Sequence, residues 1–302
     1  MAHVPVLLNE IIEILNPQAN EFFIDGTIGS AGHSVEILKR ILPNGRLLGI
    51  DWDKNSLQSA EKNIKEKFGN NDKIIFIQGN YADLPEILEK NNLSKADGLL
   101  LDLGFSSIQI EQSGKGFSFL KDEPLIMRYD GDINSLTAAQ VINSFNEKEL
   151  ADIFWKYGEE RFSRQIAKKI IEERKKEKIL TTFALSEVIK KATPRNYERG
   201  RINPATRTFQ ALRIYVNEEL ENLSKVLKNL DKIVKIKGRI AIISFHSLED
   251  RLVKNCFKQM AKEKMAELLV KKPITASEEE IRANPRSRSA KLRGIKLINN
   301  LE

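Results

Sequence analysis

The stretch FFIDGTIGSAGHS, residues 22–34, reads as a strand that runs into a glycine-rich turn and then into a helix. Glycine lets a ligand come close to the backbone because no side chain blocks the approach. The turn Asp25-Gly26-Thr27-Ile28-Gly29-Ser30-Ala31-Gly32 is spaced G-x-x-G-x-x-G, which departs from the dinucleotide fingerprint G-x-G-x-x-G. Glycines in such a place also suit an ordinary strand-to-helix turn, so the acids decide the reading. Asp51 ends the next strand-like run, 19 residues beyond Gly32, where a carboxylate can accept hydrogen bonds from both hydroxyls of an adenosine ribose. That feature suits NAD and S-adenosylmethionine equally. Asp25 separates them: a carboxylate at the mouth of the turn repels a pyrophosphate and attracts the ammonium and sulfonium of S-adenosylmethionine.

Working outward, β-like runs recur at EFFID (21–25), GRLLGID (45–51), KIIFIQG (73–79) and ADGLLLDLG (96–104). Helix-like stretches lie between them, and DKNSLQSAEKNIKEKF sets Leu57, Ala60, Ile64 and Phe68 on one face. Apolar strands alternating with helices imply a mainly parallel sheet with helices on its faces. The rhythm breaks after residue 104. Residues 107–205 show no convincing strand and continue as helices, with Ser135, Asn146 and Thr181 as N-cap candidates. The stretch ATRTFQALRIYVNEELENLSKVLKNL then reads as one long amphipathic helix feeding a fifth strand, GRIAIISF (238–245). The expected organisation is an α/β core, 1–106 and 206–302, interrupted by an all-helical domain, 107–205.

At 302 residues, with 41% hydrophobic and 30% charged residues, the chain is globular and long enough for a sizeable core. Its apolar runs are too short to span a bilayer, and MAHVPVLLNEII makes a poor signal peptide. The single cysteine, Cys256, excludes an internal disulfide and fits a reducing cytoplasm. The net charge of +7 is concentrated: residues 156–213 carry 16 Lys and Arg against 7 Asp and Glu. RANPRSRSAKLRGIK (282–296) adds six basic residues and no acid. Such clusters are either solvated helix faces or the footprint of a phosphate-rich partner, and the arginines of the second favour nucleic acid. With three histidines, no H-x-x-x-H and no paired cysteines, no metal is expected.

Asp102 ends the very apolar run GLLLD, at the sheet edge where open α/β folds place ligands. An acid there is either functional or an N-cap for the next segment. At this point the residues as a set resemble the bacterial small-subunit (16S) rRNA cytosine-N4-methyltransferases called RsmH or MraW. The motifs are HVPVLL, DGTIGSAGHS, LLGIDWD, DGLLLDLGFSSIQ, KGFSF, YGEERFSRQIAKKI, NPATRTFQALRIYVNEEL, GRIAIISFHSLEDRLVK and NPRSRSAKLRG. They run in one order along nearly the whole chain.

The resemblance implies a class I S-adenosylmethionine-dependent methyltransferase fold, Rossmann-like with a mainly parallel sheet and an inserted helical domain. It implies S-adenosylmethionine as cofactor, and 16S rRNA in the small ribosomal subunit as partner. A homodimer is expected on family grounds only. By the same resemblance Ala31, Gly32 and His33 form the turn around the methionine moiety, and Asp51 is the ribose acid; Asp25 and Gly29 are further cofactor candidates in the turn. Tyr81 stands beside the adenine, and Asp102 and Gln109 complete the cofactor contacts. Three departures stand out. Ala31 replaces a glycine, which either crowds the ligand or alters backbone freedom. LIMRYD carries Ile126 and Tyr129 where the family has an acid and a methionine, and Lys115 replaces an arginine.

N4-methylation needs acceptors for the amino protons of cytosine, because the nitrogen lone pair is delocalised into the ring; Asp102 is the candidate. C5-methylation would need a thiolate, and Cys256 sits in a helical stretch without a Pro-Cys dipeptide. Phe105 is a stacking candidate or a core aromatic. His246 is a satisfied, partly buried histidine or a substrate contact, with Ser247 and Arg251 beside it. Arg207, Arg286, Arg288 and Arg293 are candidates for RNA phosphates. Two other readings remain at this stage. One is a nicotinamide oxidoreductase, opposed by Asp25 and the absent fingerprint. The other is a catalytically silent RNA-binding or ribosome assembly factor that keeps the methyltransferase fold.

Overall fold

The computed structural model describes residues 5–104, 114–130, 135–200 and 202–299. Phe105 and Gln109 lie outside the described residues. By contacts the chain divides into two compact units, Met1–Ser106 with Leu220–Glu302, and Ser107–Glu219.

The first unit is built on a seven-stranded sheet: β1 (Phe22–Asp25), β2 (Arg46–Asp51), β3 (Ile74–Gln78), β4 (Ala96–Asp102), β5 (Val234–Ser244), β6 (Ala266–Leu268) and β7 (Lys291–Leu297). Their spatial order is β3-β2-β1-β4-β5-β7-β6. The pairs among β1 to β5 are parallel, and β7 runs antiparallel to both β5 and β6. The strand order reverses beside β1, between β1 and β4, which opens a crevice at the carboxyl ends of those strands. The helices are α1 (Leu8–Leu15), α2 (Gly32–Ile41), α3 (Lys54–Phe68) and α4 (Leu84–Lys90) before the insert. After it come α10 (Glu219–Leu227), α11 (Leu230–Ile233), α12 (Ser247–Lys262) and α13 (Glu278–Ala283).

Every strand but the short β6 feeds two cores, as period-two geometry requires of a sheet covered on both faces. Ile24, Leu48, Leu99, Leu101 and Ile242 pack against Leu84, Leu223, Leu227, Val253 and Phe257. On the other face Phe23, Leu47, Leu100 and Ile243 meet Ile11, Leu15, Ile37, Leu38 and Ile64. Packing is close where Gly98 of β4 passes Phe23 of β1, since a Cβ there would lie 2.0 Å from the ring. Asp53 starts α3, its side chain accepting from Ser56 N–H.

The second unit holds α5 (Ala138–Ser144), α6 (Glu147–Gly158), α7 (Ser163–Arg174), α8 (Thr182–Ala192) and α9 (Ala205–Val216). Asn146 and Thr181 are N-caps, and Asn146 forms a reciprocal box with Glu149. At α5 the cap is Thr137, boxed with Gln140, and not Ser135. The long helix expected over ATRTFQALRIYVNEELENLSKVLKNL is broken into α9 and α10. The chain turns at Asn217 and Glu218, the latter left-handed at φ 51°. Asn217 is buried and donates to the Met127 and Arg213 carbonyls while its Oδ1 accepts from Tyr129 N–H. Helix α9 therefore belongs to the helical unit, so the division falls after Glu219 and not after residue 205. Tyr129 stacks on Phe117 with ring centroids 5.4 Å apart and donates its hydroxyl to Glu219, while Lys115 donates to the Tyr129 carbonyl. These two departures from the family pattern thus serve packing inside the helical unit.

Two strands, β6 and β7, escaped the sequence reading. The segment KLRGIKL mixes charged with apolar residues and by sequence reads as part of the basic cluster. In the fold Leu292 packs in one core and Ile295 and Leu297 in the other.

Candidate active site at the carboxyl ends of the strands

The turn after β1 is held from both sides of the sheet. Gly26 N–H donates to the Leu100 carbonyl and Ile28 N–H to the Ile50 carbonyl, which carries the chain from strand to helix. Gly26 has no room for a side chain: a Cβ there would lie 2.5 Å from Leu101 and 3.2 Å from Tyr81 Cβ. Gly29 is left-handed at φ 53°, and its N–H donates to Asp51 Oδ2 at 2.9 Å. Ala31 is left-handed too, at φ 67° and ψ 24°, and is 0% exposed among core side chains. Its methyl therefore faces the core, and the departure from glycine is one of backbone freedom, not of crowding in the crevice.

The acids differ in what they do. Asp25 is 2% exposed; its Oδ2 accepts from the Ser34 hydroxyl at 2.6 Å and its Oδ1 from Thr27 N–H at 3.2 Å. Burial pushes its carboxyl up to about 6. Both oxygens serve the turn, so Asp25 shapes the loop and lends it negative potential. Asp51 accepts from Gly29 N–H through Oδ2 and from Asp53 N–H through Oδ1, each at 2.9 Å. Burial pushes it up to about 7, more than the two backbone hydrogen bonds and the neighbouring acids alter it. A carboxylate oxygen has two lone pairs, so each oxygen of Asp51 still has acceptor capacity for a ribose hydroxyl. Tyr81 opens a short 3₁₀ turn, Tyr81–Asp83, started by Asn80, whose side chain accepts from Ala82 N–H.

Asp102 ends β4 with its side chain 21% exposed. Its N–H donates to Thr27 Oγ1 at 2.6 Å, and its Oδ1 accepts from Gly104 N–H at 3.4 Å. Oδ2 faces His33 Nδ1 at 3.9 Å. Asp25, Asp51, Asp102, His33 and Tyr81 thus gather at one end of the sheet. The donor set fits S-adenosylmethionine: a paired acceptor for a ribose, a side-chain-free approach at Gly26 and Gly29, and three acids for a cation. Thr27 and Ser34 were missed by the sequence reading. They contact acids 75 and 9 residues away, and hydroxyls in a glycine turn carry no spacing signal.

The remaining candidates lie elsewhere. His246 is the N-cap of α12: Glu249 N–H points at its Nδ1 at 3.4 Å, and its Nε2 lies 3.2 Å from Glu249 Oε1. Its side chain is 9% exposed, and these contacts are those of a structural cap. Ser247 and Arg251 are exposed on the first turn of α12. Arg207, in the helical unit, donates to the Glu159 carbonyl at 3.1 Å. Arg286 and Arg288 sit on a 3₁₀ turn, Pro285–Ser289, the first half-buried and the second exposed. Arg293 points from β7 to Asp250, with Nε 2.7 Å from Oδ1 and both side chains 11% exposed. Burial alone would raise Asp250, but Arg293 and Lys291 outweigh it and hold the carboxyl below its usual range. The charge of Arg293 is thus answered inside the fold. Cys256 is pushed up to about 11 by burial, which keeps it a thiol and unfit as a nucleophile.

This sheet order, with its antiparallel seventh strand and the acid-lined crevice beside β1, defines a class I methyltransferase, whose cofactor is S-adenosylmethionine. The chain matches the MraW methylase family over residues 1–298 and belongs to that family. It is similar to the ribosomal RNA small subunit methyltransferase H of Syntrophotalea carbinolica, 43% identical over 98% of each chain. The protein of the same name from Clostridioides difficile is 44% identical over 96% of this chain and 97% of its own. That from Thermotoga neapolitana is 44% identical over 98% of this chain and 96% of its own. Among the described residues no helix is long and apolar enough to cross a membrane.

Proposed function

We propose that this methyltransferase acts on N4 of a cytosine in the decoding centre of 16S rRNA, within the small ribosomal subunit. The relatives' name supports the small-subunit rRNA, and the family resemblance supports the cytosine. The observation that carries the chemistry is Asp102, an acid with a pinned backbone at the end of a buried strand, beside the cofactor turn.

Bound S-adenosylmethionine supplies an electrophilic methyl group on a cationic sulfur. The rest falls to the chain. Asp51 holds the ribose, and the turn from Gly26 to Gly32 presents backbone to the methionine moiety. Asp102 accepts a hydrogen bond from an amino N–H of cytosine, which lets the nitrogen pyramidalise and point its lone pair at the methyl carbon. The backbone carbonyls of Leu103 and Gly104, which follow Asp102, are the candidates for the second acceptor. A cytosine reaching this depth is unpaired or flipped out of its stack. Arg286 and Arg288, with Ser247 and Arg251, suit phosphate contacts on the core, and Arg207 on the helical unit.

The test is methyl transfer from labelled S-adenosylmethionine to small ribosomal subunits, with wild type and Asp102→Ala side by side and the product nucleoside identified by mass spectrometry. N4-methylcytidine from wild type alone supports the reading. No transfer to subunits or to naked rRNA, with cofactor binding intact, overturns it in favour of a silent assembly factor.

A further inference from the structure

We infer that His33 is a positioning residue for the proton that leaves the substrate amine: it holds a bare ring nitrogen toward Asp102 and relieves Asp102 of the proton. This rests on the role of Asp102 proposed above.

The ring's protonation is dictated by its partners. Nε2 of His33 lies 2.9 Å from the Val6 carbonyl oxygen, which can only accept. Nε2 therefore carries the hydrogen, and in the neutral ring Nδ1 is a lone pair. That lone pair faces Asp102 Oδ2 across 3.9 Å, with the two side chains 8% and 21% exposed. A single proton shared between Nδ1 and Oδ2 would draw the two groups together as a hydrogen bond. Such contacts are often long before substrate arrives and tighten in the loaded complex.

Both partners are held in place. Asp102 is fixed through its N–H by Thr27 Oγ1 and through Oδ1 by Gly104 N–H. His33 stands on the first turn of α2, and the segment before α1 lies across it. Pro5 packs on Gly32, where a Cβ would lie 2.4 Å from its ring, and Leu7 N–H donates to Glu280 Oε1 of α13 at 2.8 Å. The tether that orients the imidazole thus comes from two segments more than 270 residues apart. Among the described residues, the charged groups that act on the ring are acids: Asp25 at the end of β1 and Glu280 on α13, with Asp102 at the end of β4 facing Nδ1. Burial holds His33 below its ordinary range, so the ring is neutral and free to accept before reaction. Once it is protonated, all three acids favour it.

The step balances. The amino nitrogen gains a carbon as the methyl–sulfur bond breaks, and its positive charge is discharged by loss of one N–H proton to Asp102. The proton passes from Oδ2 to Nδ1 of His33, and the imidazolium releases it to water when product departs. Asp102 is a carboxylate again, ready for the next cytosine.

Nitrogen NMR of the full-length protein labelled in histidine tests the arrangement without cofactor or RNA. The neutral His33 ring should carry its proton on Nε2, and Asp102→Asn should lower its titration midpoint by at least about half a unit, through loss of a facing carboxylate. A proton on Nδ1, or a midpoint indifferent to Asp102→Asn, overturns the inference. The functional arm uses His33→Gln, whose amide can still donate to Val6 but cannot take a proton. Single-turnover methyl transfer should fall roughly 10²- to 10⁴-fold, the usual span for general acid–base groups, and its dependence on pH should flatten. Affinity for S-adenosylmethionine should stay within about threefold, because both ring nitrogens address the protein. Lost cofactor affinity with an undiminished rate would mean that His33 only holds the ligand, and would overturn the inference. If wild type itself transfers no methyl group to RNA, the proposed function fails, and the NMR arm still decides this one.

Discussion

Asp51→Asn should make the protein relatively more stable as pH rises, while weakening its hold on cofactor. Asp51 is 9% exposed, and burial raises its carboxyl from 3.8 to about 7. Between those values the unfolded chain has lost the proton and the folded chain keeps it, so stability falls with rising pH until the folded value is passed. At about 1.36 kcal/mol per unit, moving from about pH 5.5 to about pH 8 costs the wild type about 2 kcal/mol through this group. Asparagine does not ionise, so the variant should gain about 2 kcal/mol on wild type over the same interval. Asp25 titrates in both proteins and cancels in the comparison. The amide also turns an N–H toward Gly29 N–H or Asp53 N–H, and the orphaned donor costs ~1–3 kcal/mol at every pH. Reversible urea unfolding at the two pH values reads the swing. A difference between variant and wild type constant to within ~0.5 kcal/mol would refute the argument. Calorimetry should show S-adenosylmethionine binding about tenfold to a hundredfold weaker, the effect of losing a charged acceptor from the ribose.

Three further expectations follow from particular contacts. Ala31→Gly relieves a left-handed alanine worth roughly 1–2 kcal/mol, but gives up a buried methyl of about 0.8 kcal/mol and adds unfolded-chain freedom of up to about 1 kcal/mol. Stability should move by less than ~1 kcal/mol and cofactor affinity by less than about twofold; a tenfold affinity change would mean that the methyl faces the ligand after all. Gly98→Ala places a methyl 2.0 Å from the buried Phe23 ring, and the urea midpoint should fall in keeping with an overpacking cost of ~1–3 kcal/mol. An unchanged midpoint would show that β1 and β4 can part without penalty. Replacing Arg286 and Arg288 together by glutamine should flatten the salt dependence of RNA binding by about one to two units of slope. Arg293→Gln should instead lower the melting temperature and leave that slope alone, since its charge is spent on Asp250. The reverse pattern would reassign Arg293 to the RNA.

The alternation of apolar runs with helical periods was enough to reveal the five parallel strands, because strands buried on both faces need continuous apolar residues. Asp25, Asp51 and Asp102 were legible for a related reason: each is an acid at the end of such a run, where burial makes an idle carboxylate costly. What these acids touch was not legible. Asp25 is occupied by Ser34 and Thr27, and Asp102 is pinned by a hydroxyl 75 residues earlier, contacts that no local spacing encodes. Strand β7 hid among arginines and lysines, since only Leu292, Ile295 and Leu297 of its seven residues are large apolar side chains, and these are divided between the two cores. Its pairing with β5 sends Arg293 to Asp250, so one of three tail arginines read as RNA contacts is an internal ion pair. The amphipathic run after residue 204 could not announce its break at Asn217, which depends on carbonyl and N–H partners some 90 residues away. Sequence alone thus determined the layers, the acids and the ligand's charge, all consequences of local periodicity and of the cost of burying charge. Tertiary structure decided which polar group each acid meets, which cations are already neutralised, and which nitrogen of His33 is bare, because those depend on partners brought together only by folding.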